Sequence, residues 1–106
     1  MLNDANLDRL TSLVREIVEP QKVVLFGSRA SGTFKDDSDY DICVIVDDDQ
    51  DEREITRKIN RQLYESAFPF AADVITVQST KFKAGQKNIS YVYRNISRDG
   101  IVIYGR

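Results

Sequence analysis

The sequence predicts an α/β (α+β) fold in which helices alternate with short strands. Three observations predict it. Apolar residues recur at three- and four-residue spacing in three segments, which is the helical period. Between them lie short runs rich in valine and isoleucine, of strand length. Pro20, Pro69 and Gly100 fall where one pattern gives way to the next. The 106 residues suffice for one core but not two, so residues 1–106 read as a single domain.

Each element follows from its own pattern. From Asn3 to Glu19, the residues Leu7, Leu10, Leu13, Val14, Ile17 and Val18 form one helical face, with Asn3 or Asp4 as N-cap and Pro20 as stop. Lys22 to Phe26 is too short for a helix and valine-rich, so it is a strand, and Asp41 to Val46 is a second. Residues 29 to 33 read as a short helical turn. From about Asp49 to Ala67, Ile55, Ile59 and Leu63 lie four apart behind an acidic first turn, and Pro69 ends that helix. Phe70 to Val77 is a third strand. Lys81 to Lys87, around Gly85, is the most loop-like stretch. Asn88 to Arg98 carries Ile89, Val92, Tyr93 and Ile96 at helical spacing, with Gly100 as its stop, and Ile101 to Tyr104 is a last strand.

Composition narrows the chemistry. Hydrophobic content is 42% and charged content 30%, as in an ordinary globular domain, and the net charge of −2 offers no basic surface to a nucleic-acid backbone. No apolar run reaches the ~20 residues of a membrane span, and Met1-Leu2-Asn3-Asp4 does not open a signal peptide, so a cytoplasmic protein is expected. One cysteine excludes a disulfide framework, and the absence of histidine removes a Ser-His-Asp triad, His-ligated zinc and histidine as general base. What remains is carboxylates, hydroxyls, lysine, arginine and a hard metal ion.

The stretch VVLFGSRASGTFKDDSDYDICVIVDD, Val23 to Asp48, concentrates that chemistry. In a strand, side chains i and i+2 share a face, so Asp39 and Asp41 present two carboxylates side by side. Such a pair repels itself unless a cation sits between, and magnesium, which prefers oxygen ligands, meets that need. Gly27 permits positive φ and a close backbone approach; Ser28 adds a hydroxyl and an N–H where a helical turn begins, as an anion site requires. A metal-bound polyphosphate satisfies both halves of the motif. Asp73, in FAADVITV, is a third carboxylate, sharing a face with Ile75 and Val77. If its strand lies beside that of Asp39 and Asp41, three carboxylates converge and can hold two magnesium ions roughly 3.5–4 Å apart, the arrangement for in-line nucleotidyl transfer. Asp73 is then the natural proton acceptor.

Gly27-Ser28, ten residues, Asp39-x-Asp41 and a later strand aspartate together resemble the signature of the DNA polymerase beta-like nucleotidyltransferases. The GSRASG and SDYD forms and the closing ISRDGIVIYGR resemble the minimal nucleotidyltransferase (MNT) family over nearly the whole chain. The resemblance implies a mixed β-sheet with helices packed on it, ATP as substrate and magnesium as cofactor. It implies Asp39, Asp41 and Asp73 as catalytic metal ligands, and Gly27, Ser28, Arg29 and Ser38 as nucleotide-binding, with Arg29 near the triphosphate. It further implies an antitoxin paired with a helical HEPN ribonuclease toxin, silencing it by transferring AMP to a tyrosine. The sequence departs from the family's commonest pattern at Ser31, where a basic residue is frequent.

Plainer readings stand beside these. Asp39 and Asp41 alone suit an acidic loop, since Asp36 and Asp37 are near, and Asp73 alone suits a cap. The run Asp47, Asp48, Asp49 and Asp51 is taken as a solvated loop and helix-start charge. Arg53, Arg57 and Arg61 form a solvated face, Cys43 is an inert core thiol, and packing explains Tyr91, Tyr93 and Tyr104. Two alternatives to protein adenylylation stay open: an antitoxin that works by occlusion, and transfer to a small hydroxylated molecule. No second domain is present to complete an acceptor wall, so the expected partner is another protein, with neither membrane nor nucleic acid involved.

Overall fold

Asp4 opens the first helix: its side chain accepts the Asn6 N–H at 2.8 Å and caps α1, Ala5–Ile17. The computed structural model describes residues 4–87 and 91–106; Asn3, Asn88, Ile89 and the side chain of Tyr91 lie outside the described set. After α1 come β1 (Lys22–Phe26), α2 (Ser28–Ser31), β2 (Tyr40–Val46), α3 (Glu52–Glu65) and β3 (Ala72–Gln78), then α4 (Ser79–Lys87), α5 (Tyr91–Asp99) and β4 (Ile101–Gly105). Among the described residues four strands form one mixed sheet in the order β3-β2-β1-β4. β2 and β3 run parallel, while β1 is antiparallel to both β2 and β4. The expected α/β architecture, a mixed sheet with packed helices, is therefore present. Among the described residues no helix is long and apolar enough to cross a membrane.

The period-two alternation of the central strands divides the interior in two. Val23 and Leu25 of β1 and Tyr40, Ile42, Val44 and Val46 of β2 face α1 and α3, where Leu10, Val14, Ile55 and Ile59 complete the larger core. Val24, Cys43, Ile45 and Val77 face the other way, against Phe82 of α4 and Ile96 of α5. Burial pushes the Cys43 thiol up to about 12, so it stays protonated and inert as expected.

The clearest departure is Lys81 to Lys87, expected as loop and found within α4. Asp48 starts this helix by accepting the Thr80 N–H at 3.0 Å and the Thr80 hydroxyl. Phe82 anchors it in the second core, and Gly85 admits the Tyr93 ring: a Cβ there would lie 2.5 Å from Tyr93 Cδ2. The acidic run before α3 is correspondingly more structural than a solvated loop. Asp51 caps α3 through the Glu54 N–H, and Asp47 accepts from Gln21 at 2.7 Å and Arg106 at 2.6 Å.

Smaller shifts have local causes. α1 ends three residues before Pro20 because Val18 is extended, at φ −150°. α3 ends before Pro69, with Ala67 turning the chain at φ 53°. Gly100 stops α5 through its N–H to the Ile96 carbonyl, at 2.9 Å, and through close packing on Val24 rather than through positive φ. Arg53, Arg57 and Arg61 are exposed, and Arg57 and Arg61 make only long ion pairs within α3. Tyr93 packs on Phe82, while Tyr104 donates to Glu19 beneath Arg15.

Candidate active site

β1 is followed directly by Gly27, which has φ 73° and ψ −155° and is the N-cap of α2. That conformation is open almost only to glycine. The Ala30 and Ser31 N–H groups both bond the Gly27 carbonyl at 3.1 Å. The N–H groups of Ser28 and Arg29, at the helix start, have no acceptor within the helix. Gly32 closes the turn in the left-handed region, at φ 82°. The GSRASG stretch thus becomes one tight turn between two glycines.

Gly27 lies against the acidic side chains. Phe26 pairs with Asp41 across the antiparallel β1–β2 ladder, and a Cβ at residue 27 would overlap the Asp41 carboxylate. On the other side of β2, Asp41 is the register partner of Asp73 in the parallel β2–β3 ladder. Partnered residues in a parallel ladder send their side chains to the same face, so both carboxylates lie on the sheet face covered by α4 and α5. Asp41 is half-buried; Asp39 and Asp73 are exposed. Asp73 therefore stands at the start of an edge strand facing solvent, not within a buried one. The Asp41 carboxyl is held above the ordinary carboxylate range, first by burial and then by the charges of Asp73 and Asp39. That shift marks the three as electrostatic neighbours.

Arg29 and Ser38 take up unexpected positions. Arg29 is only 9% exposed, with Nε donating to the Ser38 carbonyl at 3.0 Å and Nη2 to the Asp36 carbonyl at 3.1 Å. Its guanidinium lies 4.0 Å from the centre of the Tyr40 ring, which faces the larger core. Ser38 Oγ accepts the Lys35 N–H at 2.8 Å and closes a turn of the same loop. Ser31, exposed, donates to the Ser28 carbonyl at 3.1 Å. A cleft of about 370 Å³ opens beside Gly27, with apolar walls from Phe26, Val92 and Ile96 and polar ends at Asn95 and Asp99. Helical spacing places Val92 and Ile96 on one side of α5, but only the packing of α5 across β1 reveals the cleft.

The sequence profile of the nucleotidyltransferase domain matches residues 7–103. The chain belongs to the nucleotidyltransferase domain family. Solved structures share the fold of this nucleotidyltransferase. A toxin–antitoxin complex with AMP-PNP aligns at TM-score 0.65 and 23% identity, over 99% of this chain and 75% of that one. A putative nucleotidyltransferase from Sulfolobus solfataricus aligns at 0.57 and 22%, over 96% and 86%. A complex of a tri-AMPylated Shewanella oneidensis HEPN toxin with an MNT antitoxin aligns at 0.56 and 21%, over 96% and 71%. No curated protein matches the chain.

The donor set of the nucleotidyltransferase suits a hard cation. Asp39, Asp41 and Asp73 offer only oxygen, and beyond its burial the Asp41 carboxyl is raised by the like charges of Asp73 and Asp39, a repulsion that a cation would offset. Among the described residues no three ligating side chains stand gathered as a finished cage. A three-carboxylate site therefore needs these side chains to draw together around the ion.

A pH dependence follows from Asp41. A carboxyl raised on folding costs stability once ionised; the cost is full above its folded pKa and gone below the unfolded value near 3.8. Asp47 and Asp48 are lowered by their hydrogen bonds, so their contribution is present above 3.8 and lost as pH falls through their lower values. Asp41→Asn is expected to stabilise the chain at pH 7 by on the order of 1 kcal/mol, the scale of like-charge repulsion in a solvated cluster. Urea titrations of both proteins at pH 7 and near pH 4 check this: the gain should shrink at the lower pH.

Proposed function

We propose that this nucleotidyltransferase is a magnesium-dependent protein adenylyltransferase that moves AMP from ATP to a tyrosine hydroxyl of a HEPN-type toxin, and so acts as the antitoxin. The observation that carries the reading is the register pairing of Asp41 with Asp73 beside the Gly27 turn. It brings a carboxylate pair and a tight glycine turn to one end of one sheet face. An occluding binder needs neither.

In this reading the Gly27–Ser28 turn receives the triphosphate through backbone N–H groups, where a side chain at residue 27 would intrude. The cleft at Phe26 and Val92 lies next to that turn and has the size and apolar walls for the nucleoside half of ATP. Asp39, Asp41 and Asp73 would hold magnesium, which supplies charge neutralisation for the polyphosphate and polarises the attacking oxygen. The acceptor hydroxyl forms its new bond to the α-phosphorus as the bond to the pyrophosphate oxygen breaks, and Asp73 takes the hydroxyl proton. Asp73 is exposed, so its side of the site is open to a residue protruding from another protein. The likeness in fold to toxin–antitoxin complexes, one holding a tri-AMPylated HEPN toxin, supports such a partner.

Toxin neutralisation in cells separates transfer from occlusion. The chain carrying Asp39→Asn and Asp41→Asn, expressed with its HEPN-type partner, is expected to leave growth arrested at protein levels equal to wild type. Full neutralisation by that variant would favour occlusion.

A further inference from the structure

We infer that Arg29 is a positioning residue, locking the loop that carries Asp39 to the helical turn that carries Ser28, rather than a ligand of the triphosphate. The inference deepens the proposed nucleotidyl transfer and rests on that reading. Arg29 directly follows Ser28, yet its side chain is turned inward. Nε and Nη2 donate to two carbonyls of a single loop, those of Ser38 and Asp36, and the Ser38 carbonyl belongs to the peptide bond that leads into Asp39. On the other side of Asp39, the ring of Tyr40 lies 4.0 Å from the same guanidinium, and the Tyr40 N–H bonds the Ala71 carbonyl at 2.9 Å. Asp39 is thus held between two residues that Arg29 fixes, while its own carboxylate stays exposed. Phe34 and Phe70 complete an aromatic surround, at 4.9 and 5.2 Å.

A planar guanidinium with several fixed donors can bridge two carbonyls and lie against rings at once; a lysine ammonium cannot do this in the same way. Reaching a phosphate would require Arg29 to leave both carbonyls and the rings together. Its effect on an ion is therefore indirect: it fixes the backbone from which the Asp39 carboxylate reaches toward Asp41.

Arg29→Lys tests this, because it keeps the charge and removes the bridge. Hydrogen exchange reads the loop through the amides of Lys35, Ser38 and Tyr40, and calorimetry reads ATP binding in EDTA and magnesium binding in the presence of ATP. The variant should exchange these three amides at least tenfold faster and bind magnesium about tenfold more weakly, while metal-free ATP affinity stays within twofold of wild type. General destabilisation would not separate the metal from the nucleotide in this way. Phe34→Leu, at a half-exposed ring and so tolerant of change, should shift exchange and magnesium binding in the same direction by less. Weaker metal-free ATP binding with unchanged loop exchange would overturn the inference and return Arg29 to the triphosphate. A wild-type chain that transfers no AMP would instead remove the proposed function, and the exchange comparison would still decide what Arg29 holds.

Discussion

Replacing Asp39 and Asp41 together by asparagine is expected to lower AMP transfer by on the order of a thousandfold or more, while the chain becomes more resistant to urea. The two effects have one origin. In the proposed reading the pair would supply the negative charge that binds metal, and removing it would forfeit electrostatic stabilisation of the transferring phosphoryl group. Burial, and then the charges of Asp73 and Asp39, raise the Asp41 carboxyl, so losing the Asp41 charge relieves a cost in the folded chain. Loss of transfer together with lower stability would show that the carboxylates hold the fold rather than the chemistry. Transfer kinetics and urea midpoints on the same preparations distinguish the outcomes.

The second large effect is expected at Gly27. Alanine there must adopt φ 73° and ψ −155° and place its Cβ onto the Asp41 carboxylate. The backbone strain alone is worth about 1–3 kcal/mol. The backbone of Asp41 is paired on both sides, so the clash is relieved by rotating its carboxylate out of its place beside the turn. Gly27→Ala should therefore lose about 2–4 kcal/mol of stability, strain and overlap together, and at least a hundredfold in transfer, since displacement of the reacting groups is costly. Gly32 is the internal comparison: its φ is also positive, but nothing lies within 4 Å of a Cβ there. Gly32→Ala should show a smaller loss of stability and little loss of rate. Equal losses at both positions would mean that the Asp41 contact is immaterial.

What the sequence made legible were features governed by local rules. The period of two correctly predicted that Asp73 shares a face with Ile75 and Val77, and β1 begins and ends where its valine run does. The proximity of Asp73 to Asp41 was conditional on two strands being neighbours, a long-range pairing that no local pattern carries. α4 is not legible locally because its stabilising contacts are remote: its cap is Asp48, and its glycine is explained by Tyr93, which comes later in the chain. The resemblance implies a place for Arg29 near the triphosphate, but its hydrogen bonds to the Asp36 and Ser38 carbonyls depend on a loop conformation that no local pattern carries. Charge patterning likewise marked Asp47 and Asp48 as acidic but could not name Gln21, Arg106 and Thr80 as their partners.

Asp41 and Asp73, paired across β2 and β3, are proposed to serve transfer of AMP to a protein. Intact-mass spectrometry of a purified HEPN-type partner, incubated with this chain, ATP and magnesium, tests it most directly. A gain of one or more AMP units on the partner is expected, absent with EDTA and absent with Asp73→Asn. A partner of unchanged mass, with AMP found instead on a small hydroxylated acceptor, would contradict it.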